Sequence, residues 1–104
     1  MLGPGLLESV YANAMCVELQ ARKIPFTRQT IVRFRYKDVE IGEGRVDFLI
    51  ADRIILELKS IEAILDVHVA QLLTYLRTTG HKLGLLTNFN VPRLKDGIRR
   101  IIAS

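Results

Sequence analysis

The chain has 104 residues, 49% of them apolar and 25% charged, a composition typical of one small globular domain and not of a disordered or multidomain protein. We therefore expect a single domain over residues 1–104. The formal net charge of +4 permits a nucleic-acid partner without requiring one. The lone Cys cannot form an internal disulfide, and we find neither a secretory leader nor an apolar run of about 20 residues, so we expect a cytoplasmic protein without a membrane partner.

The first segment predicts a helix. After a Gly3-Pro4-Gly5 turn, apolar residues recur at helical spacing and predict a helix from about residue 6 to 22. These residues are Leu7, Val10, Tyr11, Ala14 and Val17. Pro25 should end the helix, since proline disfavours the helical conformation of the residue before it. Glu8 falls in the first predicted turn, where the helix dipole favours an anion.

The next segment predicts a hairpin. Apolar and polar residues alternate over residues 26–36, which predicts a strand with a basic face. A Lys37-Asp38 turn leads into a second predicted strand over residues 39–50, where Gly42-Glu43-Gly44 indicates a bulge or a bend.

The second half predicts a buried strand, a helix and a further strand. Residues 54–59 are apolar on both faces, as in a central strand that is covered on both sides. An apolar stripe then predicts a helix that ends at Gly80, and residues 82–87 predict another buried strand, joined to the sheet by a right-handed crossover. We expect a loop over residues 88–92. The last segment, residues 97–102, fits either a strand or a short helix.

Glu57 and Lys59 lie two residues apart at the end of the central strand, so their side chains should leave the same face. A surface ion pair would explain them on an edge strand, where such pairs are common. Inside a sheet a charge is costly unless it binds something, so we interpret the two residues as functional.

Asp47 should lie nearly opposite Glu57 if the turn between their strands lies near Ala51-Asp52. Facing carboxylates repel each other unless a cation lies between them. Oxygen ligands of this kind favour Mg²⁺ or Mn²⁺ over Zn²⁺, and the sequence has no Cys or His cluster. The alternative is an ion pair between Asp47 and Arg45 or Arg35.

These motifs together resemble the PD-(D/E)xK nuclease superfamily. One motif is Asp47 followed by Glu57-Leu58-Lys59 on the next strand. The segment from Gly5 to Tyr11 is similar to the G-x-x-E-x-x-Y signature of the GxxExxY protein family within that superfamily. The later half of that family is similar to the stretch from His68 to Phe89, with its Gln-x-x-x-Tyr helix. The resemblance covers nearly the whole chain, and implies a restriction-endonuclease-like α/β fold with an αβββαβ core, in which helices flank a mixed central sheet.

The resemblance also implies roles for individual residues. Asp47, Glu57 and the backbone carbonyl of Leu58 would be ligands of Mg²⁺ or Mn²⁺, and Glu8 would reach in from the first helix. Lys59 would orient and help to activate the attacking water, and its charge would offset the charge that builds up on the phosphate. For Glu8, the helix-dipole interpretation stays open beside this one.

Several other polar residues are candidates with simpler explanations. His68, Gln71 and Tyr75 form a polar line along the second predicted helix. By similarity to exonuclease branches of the superfamily, Gln71 would hold the substrate backbone or a water on the metal, whereas packing explains His68 and Tyr75 more simply. Arg33 and Arg35 could contact phosphates of nucleic acid from the basic strand face, and a solvated face is the alternative.

We therefore expect a Mg²⁺-dependent nuclease that hydrolyses phosphodiester bonds of nucleic acid, with DNA as the preferred substrate. The second interpretation is a nuclease-fold module that binds nucleic acid or a protein partner without turnover. A purely structural basic domain is the third, and it leaves the three charged residues unexplained. The sequence leaves the oligomeric state open, including a homo-oligomer.

Overall fold

The computed structural model describes residues 4–90 and 94–104, with side chains described over residues 8–90 and 96–104. Within these residues the chain forms two α-helices, five strands and one short 3₁₀ helix. In chain order they are α1 (Pro4–Ala21), β1 (Phe26–Tyr36), β2 (Val39–Ile50), β3 (Ile54–Lys59), α2 (Asp66–Thr79), β4 (Leu83–Asn88), the 3₁₀ helix (Leu94–Gly97) and β5 (Ile98–Ile102).

The five strands form one mixed sheet in the order β1-β2-β3-β4-β5. β1, β2 and β3 form an antiparallel meander, β4 runs parallel to β3, and β5 returns antiparallel to β4. A parallel neighbour requires a crossover, and α2 provides it between β3 and β4. This arrangement confirms the predicted α/β class and the αβββαβ order. β5 adds a fifth strand, so the last segment forms the strand of the two alternatives, and the 3₁₀ helix comes before it and shares only Gly97 with the predicted segment.

Most predicted element boundaries agree with the structure, and the differences are small. α1 begins at Pro4, so Pro4 belongs to the helix and not to a turn, while Gly3 lies outside the described residues. α2 begins only at Asp66, because the apolar stripe that predicted it starts in the loop before the helix. Asn88 completes β4, and positions 91 and 92 of the predicted loop lie outside the described residues.

Two tight turns connect the meander. Lys37 and Asp38 both have positive φ, at 49° and 64°, which is the type I′ geometry that suits the twist of a two-residue hairpin. Ala51 and Asp52 also have positive φ between β2 and β3. The irregularity that the glycines predicted lies beside Gly42, where the β1–β2 register shifts by one residue.

The sheet buries apolar side chains on both faces. The α1-side cluster has a buried core of Ala12, Leu19, Phe48, Leu56, Leu58 and Phe89. The α2-side cluster has a buried core of Val32, Val46, Ile55, Leu72, Tyr75, Leu76, Leu86, Ile101 and Ala103. β3 contributes to both clusters, which confirms it as a central strand that is covered on two sides.

The side of α1 that packs on the sheet differs from the stripe that predicted the helix. Val10 and Val17 belong to that stripe, yet they are 52% and 64% exposed. The buried residues Ala12 and Leu19 lie on another side of the helix, with Glu8 one turn before Ala12. The consequence is that Glu8 lies on the face of α1 that meets the sheet.

Among the helices of the described residues, none is both long and apolar enough to cross a membrane.

Candidate functional site

A polar cavity of about 400 Å³ lies between α1 and the strands β1, β2 and β3. Three elements besides α1 contribute to its wall, and each brings at least one polar side chain. The lining residues are Glu8, Ser9 and Ala12 of α1, Arg28 and Gln29 of β1, Asp47 of β2, and Glu57, Leu58 and Lys59 of β3. Five of the residues that the sequence singled out therefore meet in one cavity: Glu8, Asp47, Glu57, Leu58 and Lys59.

Asp47 and Glu57 connect β2 and β3 at the point where the regular pairing of the two strands stops. The regular pairing of these strands ends at Phe48 and Leu56, so Asp47 and Glu57 are the next two residues on either side. There the Asp47 N–H donates to Glu57 Oε1 at 3.0 Å, and the Leu58 N–H donates to Asp47 Oδ2 at 2.7 Å. We call this reciprocal pair of bonds the carboxylate clasp. It confirms that the two acids face each other, and it leaves one oxygen of each acid outside the clasp.

Burial and the neighbouring charge both act on Glu57, which is only 8% exposed. Loss of hydration and the negative charge of Asp47 raise its pKa from 4.5 to about 7, with a smaller contribution in the same direction from Glu8. The hydrogen bond from the Asp47 N–H and the positive charge of Lys59 partly oppose this rise. Near neutral pH, Glu57 is therefore close to the point at which it exchanges its proton.

The donor set of the clasp fits a hard divalent cation. Two carboxylates, each with one oxygen outside the clasp, are the ligands that Mg²⁺ and Mn²⁺ prefer, and a cation between them would offset the repulsion that contributes to the raised pKa of Glu57. The competing ion pair does not form: within the described chain, neither Arg45 nor Arg35 lies within ion-pair distance of Asp47.

Glu8 lines the cavity but does not complete a three-acid cluster. Across residues 4–90 and 94–104, no group of three or more His, Cys, Asp and Glu side chains has the geometry to hold a metal ion. Glu8 also lies beyond the first turn of α1, which contains no acidic residue, so its interpretation as a first-turn anion is wrong. What remains is the other interpretation, in which Glu8 reaches in from α1: it lines the cavity, and its negative charge contributes to the raised pKa of Glu57.

Arg28 is a cavity residue that the sequence analysis missed. Its guanidinium donates to Asn13 Oδ1 at 3.1 Å and lies over the Phe48 ring, 5.6 Å from the ring centre. In the described part of the chain, no carboxylate pairs with Arg28. A cation that is held in place beside two acids and has no acid partner can accept an anionic ligand. The only sequence signal was its place in the acid-free stretch from Arg22 to Lys37.

The two arginines that the sequence analysis did propose lie elsewhere on β1. Arg33 forms ion pairs with Glu40 at 2.8 Å and Glu43 at 3.4 Å, and these acids raise the pKa of its guanidinium. Arg35 is exposed on the same strand. Neither residue lines the cavity.

The polar line on α2 lies away from the cavity. Gln71 is exposed and does not line the cavity, and α2 packs on β1, β4 and β5. His68 Nδ1 accepts the Leu65 N–H at 2.9 Å and thereby caps the start of α2. Tyr75 is buried in the α2-side cluster, and a Cβ at Gly44 would lie 2.6 Å from its hydroxyl oxygen. Packing therefore explains Tyr75 and Gly44, and capping explains His68.

Asn88 anchors the loop that follows Lys59, a role that the sequence analysis did not find. This buried side chain accepts the Ile61 N–H at 3.1 Å and donates to the Ile61 carbonyl at 2.9 Å. The Phe89 N–H donates to the Lys59 carbonyl at 3.0 Å on the same edge. These bonds fix the chain where β3 leaves the cavity.

Comparison with known proteins agrees with this fold. A model of the PD-(D/E)XK nuclease superfamily matches residues 1–101. The chain thus belongs to the PD-(D/E)XK nuclease superfamily, whose nucleases generally use divalent metals. Neither the curated proteins nor the solved structures give a significant match.

Proposed function

We propose that this protein is a Mg²⁺- or Mn²⁺-dependent nuclease of the GxxExxY family that hydrolyses phosphodiester bonds of nucleic acid, with DNA as the preferred substrate. One observation carries the proposal: Asp47 and Glu57 meet in a polar cavity beside Lys59, where burial and the negative charge of Asp47 together raise the pKa of Glu57 to about 7. Two facing acids do not serve a purely structural role well, because they repel each other. Only a bound cation or a proton relieves that repulsion.

Asp47 and Glu57 would hold the cation through the carboxylate oxygens that lie outside the clasp, with the Leu58 carbonyl as a third proposed ligand. Bound there, Mg²⁺ or Mn²⁺ would lower the pKa of a water and offset negative charge on the phosphate. The clasp would keep both acids in place before the cation binds, because each acid already accepts a backbone N–H.

Lys59 and Arg28 would both act on the substrate, because both line the cavity that holds the two acids. In the proposed reaction, the oxygen of a water forms a bond to phosphorus while one P–O ester bond breaks, which leaves a phosphomonoester and a hydroxyl end. The Lys59 ammonium would orient the water and stabilise the extra charge on the phosphate in the transition state. Arg28 would hold a phosphate oxygen of the substrate, because its guanidinium lines the same cavity.

Cleavage of labelled DNA and RNA by the purified protein tests the proposal. We expect cleavage with Mg²⁺ or Mn²⁺ and none with a chelator, with DNA cut faster than RNA. A protein that cleaves neither nucleic acid with either cation would contradict the proposal. If that protein still binds nucleic acid, the second interpretation, a binding module without turnover, takes the place of the nuclease.

Replacing Arg28 should weaken nucleic-acid binding. Arg28→Ala removes one phosphate contact, so the slope of log affinity against log salt concentration should fall by about one unit, without a change in sequence preference. Arg22→Ala is the matched control, since it removes the same charge from a residue that is paired with Glu18 outside the cavity. Titration of a labelled duplex at several salt concentrations measures both slopes. Equal slopes for the wild-type protein and Arg28→Ala would remove Arg28 from the proposed contacts.

Arg33 and Arg35 remain proposed as secondary phosphate contacts. Arg33 is the weaker of the two, because Glu40 and Glu43 already pair with it.

A further inference from the structure

β1 contains a backbone irregularity at Gln29. Its φ is +49°, a left-handed conformation that is unfavourable for a residue with a side chain. Among the described residues with positive φ other than glycine, Gln29 alone lies inside a strand, since the others lie in turns. The pairs on either side, Arg28 with Phe48 and Thr30 with Val46, keep the register, so Gln29 lies opposite Asp47.

The hairpin changes faces at this position. Phe48 belongs to the α1-side cluster and Val46 to the α2-side cluster, although residues two apart on a regular strand point to the same face. Across the pair, Phe26 packs with the first cluster and Val32 with the second. The left-handed residue at Gln29 is the irregularity in β1 at which this change takes place. Asp47 lies at the crossing point, where its carboxylate meets β3 and not one of the two cores.

The Gln29 side chain also contacts the acid pair directly. Its amide Nε2 donates to Asp47 Oδ1 at 3.4 Å, and Oδ1 is the oxygen that the clasp leaves free. The side chain lines the same cavity as Glu57 and Lys59. Gln29 therefore touches the one Asp47 oxygen that is available to a ligand.

We infer that Gln29 is a positioning residue for Asp47, an inference that rests on the proposed function. Its left-handed backbone turns Asp47 out of the regular strand, and its amide orients Oδ1 toward the position of the cation. The backbone cost of this conformation is retained because it places the carboxylate. Loss of such a partner of a metal ligand commonly weakens metal affinity by about 10- to 100-fold.

The test separates stability from metal affinity. Gln29→Gly removes the amide and relaxes the backbone, so we expect a higher melting temperature of the metal-free protein and about tenfold weaker Mn²⁺ binding. Lys37→Gly is the matched control, because Lys37 has the same φ of 49° in a turn outside the cavity. It should raise the melting temperature without changing Mn²⁺ affinity. Isothermal titration with Mn²⁺ and thermal melts supply both readouts.

Gln29→Asn is a second variant, which keeps the test valid if Gln29→Gly folds poorly. Asparagine tolerates positive φ, but its side chain is one methylene shorter, so it should also bind Mn²⁺ about tenfold more weakly. The inference is overturned if a folded Gln29 variant binds Mn²⁺ like the wild-type protein, or if Lys37→Gly loses as much affinity. A wild-type protein that binds no Mn²⁺ would overturn the proposed function, and this inference with it.

Discussion

Replacing Glu57 by glutamine is expected to stabilise the metal-free protein at pH 8 by about 3 kcal/mol, and to have almost no effect on stability at pH 4. The reason is the difference between the folded and unfolded pKa values of this one carboxyl group. In the folded protein the pKa of Glu57 is about 7, against an ordinary value of 4.5.

Between pH 4.5 and about pH 7, the carboxyl group of Glu57 keeps its proton in the folded protein but has already lost it in the unfolded chain. The free energy of unfolding therefore falls as the pH rises from 4.5 to about 7, and the full loss persists at higher pH. Glutamine has no charge, and its side-chain oxygen can still accept the Asp47 N–H. Glu57→Gln should lack this part of the pH dependence.

Denaturant unfolding from pH 4 to pH 8, in the presence of a chelator, measures the effect. Glu62→Gln is the matched control, because Glu62 is an exposed acid in the loop after β3 and should change stability little at any pH. Mn²⁺ at pH 8 should raise the melting temperature of the wild-type protein and leave that of Glu57→Gln nearly unchanged. Parallel pH profiles for the wild-type protein and Glu57→Gln would show that Glu57 is not the group responsible.

Asp47→Asn should change activity and stability in opposite directions. Loss of one proposed metal ligand should lower Mg²⁺-dependent cleavage by about 100-fold or more. The same substitution removes a charge that repels Glu57, so the metal-free protein should gain about 1 kcal/mol. The asparagine oxygen can still accept the Leu58 N–H, which preserves that half of the clasp.

Lys59→Ala should lower Mg²⁺-dependent cleavage on the same scale as Asp47→Asn, and it should change the stability of the metal-free protein less.

Cleavage rates of these variants measure the effect on activity, and thermal melts in the presence of a chelator measure the effect on stability. Asp38→Asn makes the same chemical change in the distant β1–β2 turn and should keep wild-type cleavage. Cleavage by a contaminating nuclease would persist unchanged in the preparations of all these variants. If Asp47→Asn both keeps its activity and loses stability, Asp47 is a structural acid and the proposed site is wrong.

Much of the fold could be predicted because local patterns and burial agree along most of the chain. Residues 54–59 are apolar on both faces, and they form the central strand. The short connection between β2 and β3 then placed Asp47 against Glu57 from sequence distance alone. Such predictions succeed where the number of residues between two positions determines how those positions face each other.

The features that could not be predicted depend on tertiary contacts. The side of α1 that packs on the sheet was missed because the helix leaves Val10 and Val17 exposed. Arg28 is distinguished from Arg33 only by which acids lie nearby, and those acids come from other strands. The left-handed backbone at Gln29 has no sequence signal, because glutamine is not a residue that marks positive φ.

The clasp also determines where this chain can tolerate a change of length. Asp47 and Glu57 stand three residues from the last pair before the turn, Ile50 with Ile54. One residue inserted or deleted between either acid and that pair would shift the register by one and turn the acid to the opposite face. The far end of the β1–β2 hairpin is different, because extra residues at Lys37-Asp38 lengthen the hairpin without moving either acid. Evolution and protein engineering can therefore add sequence at that tip, while residues 47–50 and 54–57 must each keep their length.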